Sequence, residues 1–166
     1  MADGIHPAAR AGFGAGAEVY QRARPGYPGA ALALLEGELG LGRAGTVLEV
    51  AAGTGKLTRQ LRSLAPRLVA VEPVEAMRRV LLASLPGVAV VAGRAEALPL
   101  RSGSAGAALV GQAFHWFDGG AALLELLRPQ WPLVHFLLLC RIGKGHRYSL
   151  HPRGGVSRTT PVSSAP

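Results

Sequence analysis

Thr46-Val-Leu-Glu-Val-Ala-Ala-Gly-Thr-Gly-Lys-Leu-Thr-Arg59 is the stretch whose reading decides the fold. Its first five residues, Thr46–Val50, form a short apolar run of the kind that makes a strand buried on both faces. A glycine-rich turn follows without a break. From Lys56 to Leu64 the leucines at 57, 61 and 64 share one helix face, and Pro66 ends the pattern. A strand that passes through a glycine turn into a helix lets backbone approach a ligand closely and aims helix amides at it.

The same grammar repeats outward from this stretch. Upstream, Pro28–Leu39 places leucines at 32, 35 and 39, a helical spacing. Downstream, Arg67–Glu72 (RLVAVE) reads as a second strand, and Val74–Leu85 as a helix with apolar residues at 74, 77, 81 and 85, stopped by Pro86-Gly87. Val88–Val91 reads as a third strand, Ala107–Gly111 as a weaker fourth, and Gly119–Leu127 as another helix. Continuous apolar strands alternating with helices imply an α/β chain with a doubly wound parallel sheet covered on both faces. In such sheets ligands sit beyond the C-terminal strand ends, at the topological switch point. The chemistry is therefore expected just after Val50, Val71, Val91 and Val110.

The composition bounds the rest. The chain has 166 residues, 49% apolar but only 5% aromatic, so its core is built from Ala, Leu and Val. The net charge of +8 is uneven. Residues 1–129 carry 13 basic and 10 acidic side chains, whereas residues 130–166 carry 5 basic and no acidic ones. The body is thus close to neutral, which argues against a nucleic-acid substrate, and the basicity belongs to the C-terminal segment. Cys140 is the single cysteine, so neither an intrachain disulfide nor a cysteine metal cluster is expected. The first residues lack the layout of a signal peptide. The longest apolar run, Leu133–Cys140, is far short of the roughly 20 residues that span a bilayer. A cytoplasmic protein without a membrane partner is expected. Leu133–Leu139 reads as a fifth strand; beyond Cys140 we read no periodicity, and the Gly, Pro, Ser and Arg content is that of a disordered segment.

Three ligand classes use a strand, glycine turn and helix. A triphosphate loop needs G-x-x-x-x-G-K-[ST]; here the first glycine falls on Val50 and the hydroxyl residue on Leu57, and both fail. A dinucleotide loop needs G-x-G-x-x-G; Gly53 and Gly55 supply two glycines, but the third position is Thr58. The third pattern, an acid at the strand end followed by small-x-G-x-G, is present as Glu49-Val50-Ala51-Ala52-Gly53-Thr54-Gly55.

This last pattern resembles motif I of the class I S-adenosylmethionine-dependent methyltransferases. Four further segments are similar to that family at the expected positions. Glu72 ends the second strand, Gly93-Arg-Ala-Glu-Ala-Leu-Pro-Leu100 follows the third, and Gly111-Gln-Ala-Phe-His-Trp-Phe-Asp118 follows the fourth. Tyr20-Gln-Arg-Ala-Arg24-Pro-Gly-Tyr-Pro28 precedes the first helix. Together they resemble the type-11 methyltransferase branch related to the trans-aconitate enzymes, over residues 18–129.

The resemblance implies a Rossmann-like sheet, S-adenosylmethionine as cofactor and a small-molecule acceptor. It implies that Glu49, Ala51, Gly53 and Gly55 hold the methionine end, Glu72 the ribose hydroxyls, and Ala95 and Glu96 the adenine. Gln112, His115 and Trp116 would border the sulfonium and the acceptor, with Tyr20 and Arg24 in a lid. No catalytic base is identified; His115 and Gln112 are the candidates for a catalytic role, acid–base chemistry falling to His115 alone, and no metal is implied. An acid at Glu72 serves a nicotinamide dinucleotide equally well, and its plainer reading is a charge at a helix N-terminus; the Gly93–Leu100 segment separates the two cofactors.

The chain also departs from the family. After Leu127-Arg128-Pro129 it continues Gln130-Trp131-Pro132 in place of Gly-Gly, and nothing like the family's final helix and hairpin is read after it. The expectations are a flexible segment 1–17, a partial cofactor-binding domain 18–129, and an atypical basic tail 130–166 that is largely disordered. The sheet would then be incomplete at its C-terminal edge, as in a truncated isoform with a substituted tail. An inactive cofactor-binding fragment working as an interaction protein is the rival to an enzyme. The oligomeric state is not readable.

Overall fold

The computed structural model describes residues 26–128 and three further strands, His135–Ile142, His146–His151 and Gly155–Thr159. The elements follow in the order α1 (Gly29–Leu39), β1 (Thr46–Val50), α2 (Lys56–Leu61), β2 (Arg67–Val71), α3 (Glu75–Ser84), β3 (Ala89–Val91), β4 (Ala107–Gly111), α4 (Gly119–Leu126), then β5, β6 and β7. A 3-10 turn, Phe114–Trp116, lies between β4 and α4.

The sheet order is β3-β2-β1-β4-β5-β6-β7. β1 pairs in parallel with β2 on one side and β4 on the other, so Glu49 lies level with Ala70 and Leu109. The order runs outward in both directions from the β1–β4 pair, which makes that crevice the switch point. Two ladder-like bonds extend past the strand ends: Ala52 N–H to the Val71 carbonyl and Glu72 N–H to the Val91 carbonyl, both 3.1 Å. They hold the three adjacent C-terminal ends level.

Alternation along the strands sends side chains to both faces. Leu48 and Val50 of β1 join Ala108 and Val110 of β4 against Ala122 and Leu126 of α4. Val47, Ala107 and Leu109 face the other way, against Leu35 of α1 and Leu57 and Leu61 of α2. Ala70 packs with Leu81 and Leu85 at α3. Each fully buried leucine contributes about 1.5–3 kcal/mol, so the parallel half of the sheet is held by helices on both sides. No helix among the described residues is long and apolar enough to cross a membrane.

The Rossmann-like class is as expected, but the sheet ends elsewhere. β5 extends the parallel sheet beside β4, level from Ala107↔His135 to Gly111↔Leu139. β6 and β7 then return as antiparallel neighbours. The edge strand on this side is therefore β7, where a disordered tail after Cys140 and an edge at β4 or β5 were expected. The reason is a period of two: Tyr148 and Leu150 alternate with Arg147 and Ser149, and six residues of alternation give little signal beside helical spacing. An antiparallel ladder is made by backbone groups and needs no long apolar run.

Candidate functional site

The glycine turn places its residues by backbone conformation. Ala51, Gly53 and Gly55 have φ values of 56, 60 and 85°. A Cβ on Gly55 would come within 2.9 Å of Leu81 and 3.0 Å of Leu85, so this glycine lets α3 pack on the turn. A Cβ on Gly53 would meet nothing within 4 Å. The two glycines therefore divide the work expected of both: Gly55 faces protein and Gly53 faces open space. Ala51 holds the same left-handed region with a Cβ, at a cost of about 1 kcal/mol.

Glu72 follows β2 and is 4% exposed. Its Oε2 accepts the Gly53 N–H and its Oε1 the Val74 N–H, both at 2.8 Å. One carboxylate thus ties the glycine turn to the start of α3. The helix N-terminus reading of Glu72 has its counterpart here, because Val74 is the residue before the helix and its amide is one of the helix's unpaired donors. Burial pushes the Glu72 carboxyl above its ordinary range, while the two backbone N–H donors and the Arg78 cation pull it back. Arg78 in turn donates to the Glu72 and Pro73 carbonyls at 2.8 Å. Each Glu72 oxygen retains a second lone pair, so two hydroxyls of a ligand can still be accepted.

Glu49 lies deeper. It is 2% exposed, on the face of β1 that also carries Val47, toward α2. Burial pushes its carboxyl up to about 8; the Thr58 hydroxyl beside it opposes the rise and the Glu72 carboxylate adds to it. The hydroxyl is near but not aligned: Glu49 Oε2 and Thr58 Oγ1 both remain without a hydrogen-bond partner, as does Thr54 Oγ1 in the turn. At neutral pH Glu49 is mostly a neutral acid beneath the glycine turn.

After β3 the segment Gly93–Leu100 folds back on itself, with Ala97 N–H bonded to the Arg94 carbonyl at 3.2 Å. A Cβ on Gly93 would lie 2.5 Å from Pro99, so the fold-back requires glycine there. Ala95 is 3% exposed within the α4-side core. Glu96 is partly engaged within the protein: Oε1 accepts the Asp118 N–H at 3.0 Å and Oε2 faces Arg94 Nε at 3.4 Å. The segment after β3 is thus tied to the segment after β4.

After β4, Gln112 is half-buried with φ 55°. The 3-10 turn brings Phe114 and Phe117 into an edge-to-face contact at 5.7 Å between ring centroids. His115 is exposed and lies 4.8 Å from the Trp116 ring. Among the described residues no hydrogen bond reaches His115, and none of them orients it as a base. Asp118 caps α4, its Oδ1 accepting the Ala121 N–H at 3.2 Å. Tyr20 and Arg24 lie outside the described residues. No group of three or more His, Cys, Asp or Glu among the described residues could hold a metal ion.

Sequence reasoning missed two contributors. Gln60 of α2 holds the Tyr27 backbone from both sides, accepting its N–H and donating to its carbonyl, each at 2.8 Å. Arg128 reaches from the end of α4 to the Leu100 carbonyl at 2.8 Å and the Leu98 carbonyl at 3.3 Å. Neither contact has a sequence signal, since each joins residues about thirty apart through a single polar side chain.

Residues 48–129 match a methyltransferase domain family. The chain is 41% identical over 116 residues to an uncharacterized methyltransferase of Mycobacterium tuberculosis; the match covers 70% of this chain and 46% of that protein. The chain thus spans about half the length of this curated relative. Among solved structures it is similar to a DhpI–SAH complex, at 23% identity and a TM-score of 0.64, over 98% of this chain and 82% of the other. It is also similar to SAM-bound CalS10 from Micromonospora echinaspora, an amino pentose methyltransferase, at 20% identity and a TM-score of 0.64, over 88% and 69%. These two likenesses are of fold. The match over residues 48–129, together with these likenesses of fold, makes that region a methyltransferase domain of Rossmann-like, class I architecture.

Proposed function

We propose that this domain binds S-adenosylmethionine and transfers its methyl group to a small-molecule nucleophile. The observation that carries the reading is the Glu72 carboxylate, which locks Gly53 beside an open space and keeps lone pairs for a ribose. Gly93–Leu100 favours this cofactor over a nicotinamide dinucleotide, whose fold gives no reason for that segment. When bound, the cofactor supplies an electrophilic methyl on a sulfonium. The chain's own residues hold and orient: the turn at Ala51, Gly53 and Gly55 with Glu49 beneath it takes the amino-acid end, Glu72 the ribose, and Ala95 and Glu96 the adenine. Gln112 and Trp116 border the acceptor. An aromatic face can stabilise a cation about the sulfur, and positioning of the two reactants supplies most of the rate.

The near-neutral body and the aromatic turn support a small acceptor over a nucleic acid, and the single cysteine fits a cytoplasmic setting. Calorimetric titration of the folded protein with S-adenosylhomocysteine and with NAD tests the cofactor. Heat with the first and none with the second is expected; no heat with the first would defeat the reading. Methyl transfer to a metabolite panel then tests the acceptor class.

A further inference from the structure

We propose that Glu49 tells the charged cofactor from its uncharged product by giving up a proton to solvent when the cofactor enters and taking one back when the product forms; this rests on the cofactor reading above. S-adenosylmethionine carries a carboxylate, an ammonium and a sulfonium, one net positive charge. Loss of the methyl leaves the bonding electrons on sulfur as a neutral thioether, so S-adenosylhomocysteine has no net charge. A group that answers to that one charge separates the two ligands.

The group is already in place beneath the glycine turn. Glu49 is 2% exposed, and its strand neighbours at the same level, Ala70 and Leu109, are apolar. Burial has already raised its carboxyl, to about 8. A ligand above the turn therefore adds its charge and little further desolvation, and an added cation favours the ionised form. Glu49 Oε2 and the Thr58 hydroxyl are both buried and without a hydrogen-bond partner. An ionised Glu49 can take up that hydroxyl as a donor.

Among the described residues no cation pairs with Glu49. Lys56 and Arg59 of α2 are in no ion pair. On α3, Arg79 pairs with Glu75, and Arg78 donates to the Glu72 and Pro73 carbonyls. Glu36 of α1 accepts the Gly42 N–H. The Tyr27 phenol stands over Gly111 and is engaged within the structure. The charged group that acts on Glu49 is Glu72, whose carboxylate adds to the rise. Glu72 is held as the anion by two backbone N–H groups, which leaves Glu49 as the acid of the two. A cation over the turn relieves the repulsion between them and lets both ionise.

The sign follows from linkage: binding that releases a proton tightens as pH rises. S-adenosylmethionine should gain up to about tenfold in affinity per pH unit between about pH 6 and about pH 7.5, and S-adenosylhomocysteine far less. Calorimetry on the full chain at pH 7, in phosphate and in Tris, counts the protons, because the two buffers take them up with different heats. Wild type should release about one proton with S-adenosylmethionine and a small fraction of one with S-adenosylhomocysteine. The ligand's own amine titrates identically in every protein compared. Glu49→Gln cannot ionise; it should abolish the release and narrow the affinity ratio of the two ligands roughly tenfold. Thermal unfolding checks that it folds. If it does not, sinefungin decides on wild type alone: it carries an ammonium where the product has a thioether, and should release a proton as S-adenosylmethionine does. Equal heats in the two buffers, equal release with S-adenosylmethionine and S-adenosylhomocysteine, an unchanged count in Glu49→Gln, or sinefungin behaving as the product would each overturn the assignment. A folded wild type that binds none of these ligands would overturn the cofactor reading itself.

Discussion

Ala51, Gly55 and Glu49 show how much of the site is settled one residue at a time. Ala51 holds φ 56°, a conformation that disfavours a Cβ. Ala51→Gly should raise stability by about 1 kcal/mol, read as a higher urea midpoint with an unchanged slope. Gly55→Ala should do the opposite by about 2–4 kcal/mol, because it adds both a left-handed Cβ and an overlap with Leu81 and Leu85. Equal midpoints for the two variants would refute this division of labour between neighbouring turn positions. Glu49 predicts a pH dependence. Its carboxyl ionises near 4.5 when unfolded and about 8 when folded. Folding therefore takes up a proton between those values, so this contribution is complete below the lower value and is lost as pH rises through the upper. Glu72 is also raised, with the same sign. Glu49→Gln cannot ionise, so between about pH 5 and about pH 8 its stability should decline less steeply than that of the wild type, by on the order of 1 kcal/mol per pH unit. Parallel stability–pH curves would show that Glu49 is not the group responsible.

Elements come next, and here the clips between them matter more than the elements. The segment after β3 is fastened to α4 at both ends. Glu96 accepts the Asp118 N–H at the helix start. At the helix end Glu125 accepts the Leu98 N–H at 3.0 Å, and Arg128 pairs with Glu125 while reaching the Leu98 and Leu100 carbonyls. Arg128→Ala leaves those carbonyls and the half-buried Glu125 without their cation, which should cost about 2 kcal/mol. Arg128→Lys should recover less than half of that, since an ammonium cannot reproduce the planar fork. Chemical denaturation of the three proteins decides it, and an Arg128→Ala variant as stable as the wild type would remove the clip from the account. These same elements mark what the sequence could say. β1 to β4 and the helices between them were legible within a few residues, because each buries a continuous run or a helical face. Glu72 and the Gly93–Leu100 segment were legible through their resemblance to the methyltransferase family at the expected strand ends. The Gln60–Tyr27 and Arg128 contacts were not, since pairing across thirty residues is a property of the finished sheet.

For the whole molecule, the question is what closes the sheet beyond β4. Ala107, Ala108, Leu109 and Val110 are all 0% exposed, and β4 pairs with β1 on one side and β5 on the other. β5 in turn pairs with β6, and β6 with β7. The sequence had pointed to an edge near β4 because alternation over five or six residues is a faint pattern in a segment rich in Gly, Pro and Arg. If β5 to β7 are the cover, a chain ending after Arg128 should expose the backbone groups of β4 along its whole length, an invitation to pair with another copy. The shortened chain is then expected to lose its cooperative thermal transition and to elute as aggregate in size-exclusion chromatography, while the full chain does neither. A shortened chain that melts with the midpoint of the full one and runs as a monomer would mean that the four parallel strands and their helices suffice, and that β5 to β7 add length to the sheet without holding it.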